Sequence, residues 1–482
     1  MLQALAYIVI FLVEVAVFAT ARSRSVRQLS LLAASYVLYL TWQPWFALVL
    51  LGSTVANYCF GRALRRKAAV PTLWAGILFN VVLLAVFKYL PPVATQLRTG
   101  LLRDFASLAL PLGLSFWTFQ AMSYLFDLYR GEELDPTFVE FALYMAFFPV
   151  TISGPVCRMP EMLPQFRGET LVSWSDREHG IRRIAIGVLM MQLARLLGHG
   201  ILAGDGINSG FDHLTHWGGA DVWCLAVGYG LQLFLDFAGY SHIAIGAAQT
   251  LGFAIPENFA RPFASQSPAV FWTRWHMSLS FWIRDYVFLP LAVLRREMWW
   301  RNLALVISMV LFGVWHKATL LFVLWGCYHG ALLVLHRQVQ QLQRRFDWAP
   351  PERMWNAVSW IATMGLVSVG WIFFRANSLQ QAGRMFSQVT SPSSYNSHVL
   401  SGSLYLLVAG VGLSYALVLV VGDIFERCAM QPAVGSAPGA IAMLARRRWY
   451  WVPPLYAMAL LGVLAITQTQ GATAAQFMYR AF

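Results

Sequence analysis

From one end to the other, the chain alternates apolar runs long enough to cross a bilayer with short loops that hold much of its basic charge. A helix needs about 20 predominantly apolar residues to cross the hydrocarbon core, where every backbone polar group must be satisfied internally. Such a chain folds as a bundle of membrane helices, and its length counts spans rather than globular domains. Charged residues make up 12% of the sequence and hydrophobic residues 58%, whereas a soluble domain carries about 25% charge. The formal net charge of +13 would suit nucleic acid, but the basic residues cluster between apolar runs. That is the positive-inside pattern, so membrane lipids are the expected partners and nucleic acid is not.

Parity orders the runs. Residues 2–20 are too long for the apolar region of a signal peptide and lack a positive leader, so they are expected to stay as the first helix. Residues 29–40 and 45–60 follow a loop with three arginines (Arg22, Arg24, Arg27) and precede a second basic loop at 62–67. Residues 72–89 cross back, and 107–129 return to the loop at 130–135. The run 138–156 is broken by Pro149 and by Ser153-Gly-Pro155, which at membrane depth requires that the freed backbone be buried or line a cavity. Residues 158–180 are polar and read as an interfacial excursion, before runs at 181–202 and 222–248. Runs at 302–315, 318–335, 355–374, 404–421 and 451–467 then put the basic segments 295–301, 336–353 and 446–448 on one face. That face is the cytoplasm, which leaves both termini outside. Residues 376–403, rich in Ser, Gln and Asn, form the largest outside loop, either a docking surface or a solvated connection. The five cysteines are scattered without CxxC spacing, so neither a disulfide framework nor a metal site is expected.

Residues 271–330 carry the chemistry: three histidines, an Arg–Asp pair and many tryptophans in sixty residues of an otherwise apolar chain. An ionisable group at membrane depth is costly and marks a functional site. His329, in Phe322–Gly330 (FVLWGCYHG), lies roughly 14 residues into its segment counted from Trp315, about 20 Å along a helix. Its neighbours Cys327, Leu332 and Leu333 are apolar, which favours a neutral imidazole able to take a proton from a hydroxyl. The competing reading is a neutral histidine hydrogen-bonded between helices.

If residues 272–286 are one helix, Arg274, Ser278 and Trp282 share one stripe, and Trp272, His276 and Ser280 a neighbouring one. Arg284 and Asp285 are adjacent and on a helix would not face each other, so Asp285 needs a partner elsewhere. His316 sits beside Lys317 at the outer boundary, where a lysine snorkels to the head groups without any further role. Farther back, Gln232, Asp236 and Tyr240 share a helical face, and Asp236 is a candidate partner for an arginine such as Arg158. No P-loop, GxSxG or metal-ligand spacing is present.

At these residues the sequence resembles the membrane-bound O-acyltransferase family, within it the branch of alginate O-acetylation and teichoic-acid D-alanylation proteins. The matching pieces are Pro111-Leu-Gly-Leu-Ser-Phe116, Ser123-Tyr-Leu-Phe-Asp-Leu-Tyr-Arg-Gly131, Phe147-Phe-Pro149 with Ser153-Gly-Pro155, Asp236-Phe-Ala-Gly-Tyr-Ser241 and Pro256-Glu-Asn-Phe259. They continue with Phe271-Trp-Thr-Arg-Trp-His276, Arg284-Asp-Tyr286, Gly313-Val-Trp-His316, Leu324-Trp-Gly-Cys-Tyr-His329-Gly330, Gly370-Trp-Ile-Phe-Phe-Arg-Ala376 and the ending Phe477–Phe482. Two positions depart from the family's pattern: His242 follows Gly-Tyr-Ser where relatives often have Asp, and Lys317 follows Trp-His where they usually have Gly.

The resemblance implies an all-α polytopic protein, a ring of about ten to twelve transmembrane helices with interfacial helices around a central tunnel. It would form one integral-membrane domain over 1–482, with the catalytic core at about 107–376. His329 and His276 match the family's paired active-site histidines, with Asp236, Arg274, Trp325, Asp285 and His316 as supporting candidates. The implied activity is O-acetyl transfer to an exported polysaccharide across the bacterial inner membrane. The donor would be acetyl-CoA or another acyl thioester from the cytoplasm, with no tightly bound cofactor and no metal. A periplasmic acetyltransferase and a polysaccharide-synthesis complex would be partners. D-alanyl or other acyl transfer to a cell-wall polymer is the nearest alternative. A lipid-linked glycan transporter is the other-class alternative, disfavoured by the lack of internal repeats.

Overall fold

In the computed structural model, residues 2–97, 108–168, 172–201, 204–346 and 351–430 are described, and all regular structure among them is helical. The expected run 451–467, the basic segment 446–448 and the ending 477–482 lie outside the described residues. Among the described residues, seven helices are long and apolar enough to cross a membrane, and α1 adds a shorter apolar stretch. The chain is therefore a polytopic helical membrane protein.

The first helices keep to the apolar runs. They are α1 (Leu2–Thr20), α2 (Arg24–Leu40) and α3 (Pro44–Arg66), the last opening with Pro at its first position, where no backbone N–H is needed. α4 (Val70–Leu84) passes through a π-helical turn, Ala85–Tyr89, into α5 (Leu90–Leu97). α6 (Leu114–Tyr129) is buried along nearly its whole length. α7 (Phe138–Ala146) starts with a capping box between Thr137 and Glu140 and stops before Pro149 and the irregular stretch around Gly154, whose backbone is buried in protein as its composition requires. The polar excursion folds as α8 (Met159–Arg167) and the start of α9 (Trp174–His199).

Beyond it come α10 (Ile207–Asp212), α11 (Gly219–Thr250), α12 (Pro268–Trp272), α13 (Met277–Ile283), a second π-helical turn at Arg284–Phe288, and α14 (Leu289–Ala292). α15 (Met298–His316) and α16 (Leu320–Arg345) form a tight hairpin. A Cβ at Gly326 would stand 2.5 Å from the Cα of Val310, and one at Gly330 would stand 2.9 Å from that of Val306. Only glycine lets the two backbones approach this closely, which sets the position of His329 between them in sequence. The chain continues through α17 (Glu352–Arg375), α18 (Leu379–Thr390) and α19 (Gly402–Met430).

Three sequence expectations need correction. The segment 272–286 is not one helix: the chain breaks after Trp272 and restarts at Met277. The basic segment 336–353 is not simply a loop, because α16 carries it in helical form to Arg345. The stretch 376–403 is not a solvated connection throughout. It holds α18, which buries Ala382 and Met385, and Gln381 donates to the Phe211 carbonyl at 2.6 Å. Asp221 likewise accepts from the N–H groups of Val399 and Leu400.

The chain divides into two compact units, one of Met1–Ile184 with Ser241–Thr363 and one of Ala185–Tyr240 with Met364–Phe482. The first contains both candidate catalytic histidines. In the second, Arg375 at the end of α17 and Asn377 just beyond it both bond Asp212 at the end of α10.

Candidate active site

His276 is the residue at which the expected helix breaks. It has φ 43° and ψ 53°, the left-handed region that a non-glycine side chain rarely adopts. The cause lies twenty residues upstream, in the Pro256-Glu-Asn-Phe259 segment. The Arg274 carbonyl accepts from Ala260 N–H at 3.0 Å, and the Asn258 carbonyl accepts from Met277 N–H at 2.8 Å. Phe259 and Trp275 form an isolated antiparallel bridge. Backbone groups that would have continued a helix are thus taken by a neighbouring extended stretch of chain. Asn258 completes the clamp through its side chain: its Oδ1 accepts from Ser278 Oγ at 2.6 Å and its Nδ2 donates to Ser241 Oγ at 3.0 Å. Ser278 Oγ in turn accepts from Val156 N–H at 2.9 Å. Asn258, Ser241 and Ser278 are buried.

His329 is 1% exposed and stands one residue before Gly330 on α16. It is ringed by aromatic groups rather than by the expected aliphatic neighbours. Trp325 lies 4.9 Å away, Trp272 5.2 Å and Tyr328 5.4 Å between ring centroids. Neither ring nitrogen of His329 has a hydrogen-bond partner among the described residues, and the buried indole N–H of Trp272 has none either. A histidine serving only to tie helices together would spend at least one nitrogen on a neighbour, because a buried polar atom without a partner is costly. Among the described residues, His329 makes no such tie.

The two histidines share one aromatic cluster. Trp272 packs on Phe312 at 5.4 Å and on Trp325 at 5.7 Å, and His276 approaches Phe312 at 6.3 Å and Trp315 at 6.4 Å. Beside Trp272 and Phe312 lies a largely apolar pocket of about 200 Å³, to which Met309, Leu333, Ser280 and Ser308 contribute. His316 is 5% exposed, and its ring stacks on Phe312 at 5.3 Å and 19°. It belongs to the aromatic cluster at the end of α15, while Lys317 is exposed as expected.

Lys88 is a functional candidate absent from the sequence reading. Its ammonium lies 4.6 Å from the centre of the Trp315 ring and 3.5 Å from Ser115 Oγ, and Tyr89 OH donates to the Trp315 carbonyl at 3.2 Å. The π-helical turn that holds it is a form concentrated at functional sites. A lone lysine within the apolar run 72–89 was the available signal.

Asp285 and Arg284 do face each other, against expectation: Arg284 Nε donates to Asp285 Oδ1 at 2.6 Å. Both stand in the π-helical turn Arg284–Phe288, outside the regular α-helical spacing on which the expectation rested. Arg158 donates to the same carboxylate at 2.8 Å, so Arg158 pairs with Asp285 and not with Asp236. Burial would raise the Asp285 carboxyl, but the bonds from Arg284 and Arg158 outweigh it and hold it below the usual carboxylate range. Asp285 lines a cleft of about 680 Å³ with Arg158, Arg130, Asp127 and Tyr286. Packed rings run from there toward His276, through Tyr286 on Trp282 (5.2 Å), Trp282 on Phe119 (4.5 Å) and Phe119 on Trp315 (5.3 Å).

Among the remaining candidates, Trp325 is part of the His329 cage. Arg274 is half-buried and enters the clamp through its backbone. Asp236 is buried in α11 and belongs to the second unit, whereas both histidines belong to the first. No group of three or more His, Cys, Asp or Glu side chains placed to hold a metal ion occurs among the described residues.

Residues 69–377 match the profile of MBOAT, the membrane-bound O-acyltransferase family. The chain is 33% identical to the probable alginate O-acetylase AlgI of Pseudomonas aeruginosa, over 86% of this chain and 80% of that protein. It is 30% identical to the peptidoglycan O-acetyltransferase of Helicobacter pylori, over 74% of this chain and 72% of that one. It is also 30% identical to the teichoic acid D-alanyltransferase of Bacillus subtilis, over 55% of this chain and 68% of that one.

Proposed function

The chain belongs to the membrane-bound O-acyltransferase family and is an O-acyltransferase, and from that premise we propose that it carries acetyl groups toward hydroxyls of an exported polysaccharide, with His329 as general base. The observation that carries the assignment is the state of His329: buried, oriented by Trp272 and Trp325, and with both ring nitrogens unused by the described residues. A neutral imidazole in that position takes the proton of an acceptor hydroxyl. The hydroxyl oxygen attacks the thioester carbonyl carbon, the new C–O bond forms as the C–S bond breaks, and the proton leaves with the thiol. The N–H of Trp272, unpaired among the described residues, is a donor for the carbonyl oxygen as it gains charge.

His276 is the partner residue, held by the Asn258 clamp to orient substrate or stabilise charge at the same cluster. The pocket of about 200 Å³ beside Trp272 suits a short acyl group. Acetyl-CoA or another acyl thioester would supply it from the cytoplasm, with no tightly bound cofactor, and Asp236, Arg274, Asp285 and His316 are the supporting residues. The basic loops favour an inner-membrane orientation with both termini periplasmic. Residues 1–482 would act as one domain with its catalytic core at 107–376. A periplasmic acetyltransferase working with the polysaccharide-synthesis complex would receive the acyl group from it.

The likeness to the teichoic acid D-alanyltransferase favours a second reading, in which the acyl group is D-alanyl and the acceptor a cell-wall polymer. Nothing in the comparisons favours a glycan transporter.

The test replaces His329 with alanine and measures ester-linked acyl groups on the exported polymer, with membrane abundance of the protein as control. Loss of the esters with polymer export intact is the expected result, and the acyl group released from wild-type polymer identifies acetyl or D-alanyl. Esters at the wild-type level in His329→Ala would overturn the assignment.

A further inference from the structure

Where α1 passes into α2, four arginines gather around a cleft of about 340 Å³ that has no part in the acyl-transfer site. Arg22, Arg24 and Arg27 come from the α1–α2 turn and the start of α2, and Arg167 from the end of α8. Among the described residues, one carboxylate answers two of them. Glu140 is fully buried on α7 and bonds both Arg24 and Arg167, the latter through Nε at 3.0 Å and Nη2 at 2.9 Å. Arg167 also bonds the Asp135 carbonyl. Arg27 donates to the Ala21 carbonyl at 2.8 Å and lies over the Phe18 ring. Arg22 is exposed and makes no hydrogen bond or ion pair among the described residues. Among the described residues, the cleft gathers four guanidinium groups and the one carboxylate that bonds Arg24 and Arg167, which leaves it basic.

Two further features shape what such a charge would hold. α2 is a 17-residue helix that begins at Arg24, and its N-cap Ser23 gives no side-chain bond to the first-turn N–H groups. Open N–H groups at a helix start favour a phosphate. Behind the arginines the wall is apolar: Phe253 packs edge-on against Phe18 at 5.8 Å and against Phe166 at 5.7 Å, with Leu31 beside them. The outer face of α1 is itself apolar and exposed, with Leu5, Ile8, Leu12 and Val13 each more than half exposed.

We propose that this cleft is a binding site for an anionic phospholipid. The phosphate sits among Arg22, Arg27 and the start of α2, and the glycerol and upper acyl chain lie on Phe18, Leu31 and Phe253. A soluble phosphate would use the arginines but not the apolar wall. A basic pocket between membrane helices at the level of a basic loop is the setting in which anionic head groups are held.

Native mass spectrometry of the full-length protein in detergent, with phosphatidylglycerol or phosphatidylcholine added, tests the assignment. The expected result is preferential retention of phosphatidylglycerol, reduced roughly fivefold for each arginine neutralised in Arg22→Gln and in the Arg22→Gln, Arg27→Gln double variant. The Arg22→Lys, Arg27→Lys variant should keep most of the preference. Arg22→Gln alone changes only an exposed, unpartnered side chain, so its folding is secure if the double variant fails to fold. Equal retention of the two lipids, or an undiminished preference in Arg22→Gln, overturns the proposal. Displacement of phosphatidylglycerol by millimolar inorganic phosphate assigns the cleft to a soluble phosphate and overturns it equally.

Discussion

Trp272 meets His329 edge to face, with ring centroids 5.2 Å apart and planes at 89°, and so ties the segment carrying one candidate histidine to the helix carrying the other. Trp272 lies four residues before His276, and the contact orients the His329 ring without occupying either of its nitrogens. This pairing explains why a chain so short of polar groups concentrates indoles here. They enclose an imidazole in apolar surroundings and leave its lone pair available.

Replacing Trp272 separates the two tasks of its side chain. Trp272→Phe keeps a ring against His329 but removes the N–H. It is expected to lower kcat by about 100-fold, the loss seen when one donor to a developing oxyanion is removed, with KM little changed. Trp272→Ala also opens a cavity and should destabilise the protein by about 3–5 kcal/mol. Acyl-transfer kinetics and thermal unfolding of the purified protein check both. An active Trp272→Phe enzyme would mean that the N–H has no catalytic part.

His276 carries a backbone demand as well as a side-chain role. Its left-handed conformation costs a non-glycine residue about 1–2 kcal/mol, which the Asn258 clamp must offset. Accordingly, His276→Gly and His276→Ala should both lose acyl transfer, but the glycine variant should unfold at the higher temperature, by about 1 kcal/mol in stability. Asn258→Ala leaves the buried Ser278 hydroxyl without its acceptor and Ser241 Oγ without its donor, and should cost about 1–3 kcal/mol. It should also lower activity while His276 itself is unchanged. Denaturation curves and ester measurements on the three variants decide the matter, and a His276→Gly protein no more stable than His276→Ala would remove the strain argument.

Lys88 offers a test of whether an intramembrane cation is functional or merely accommodated. Replacing a buried charge with an apolar side chain of similar length is often neutral or stabilising, so Lys88→Met should remain folded. If the ammonium helps to hold an anionic donor or a developing oxyanion near Trp315, acyl transfer should fall at least about tenfold, as for other lost charge-stabilising contacts. Full activity in Lys88→Met would leave Lys88 as a packing residue over the Trp315 ring.

The helices themselves could be read from the chain because spanning length, basic loops and proline positions act locally: the expected runs 29–40 and 45–60 fall within α2 and α3, and Pro44 opens the latter. His329 was also legible, since a titratable group in an apolar run needs only its own segment to be noticed. The break at His276 was not, because its cause is a carbonyl at Asn258 outside the local helical pattern. The same holds for the π-helical turns. Lys88 owes its place to Trp315, more than two hundred residues later in the chain, and Arg284 reaches Asp285 only because the helix widens there. The helical cover over 376–403 escaped notice because a polar composition describes an amphipathic surface helix as well as it does a loop.

Asp212 provides a prediction remote from the chemistry, on the link between α10 and the end of α17. Burial would raise its carboxyl, but the bonds from Arg375 at 2.7 Å and Asn377 at 3.0 Å outweigh it and hold it below the ordinary carboxylate value. A carboxyl depressed in the folded state contributes stability that is fully present above its unfolded value, about 3.9, and that is lost as pH falls through the folded one. The side chain is 40% exposed, so solvent screens the pair and its contribution at neutral pH is only about 0.5 kcal/mol. Asp212→Asn should therefore unfold at a slightly lower temperature than wild type at pH 7, and the gap should close as the pH is taken below about 4. Thermal unfolding of both proteins across pH 3–8 measures this. A gap that stayed constant over the range would show that the amide is penalised for its shape rather than for the missing charge.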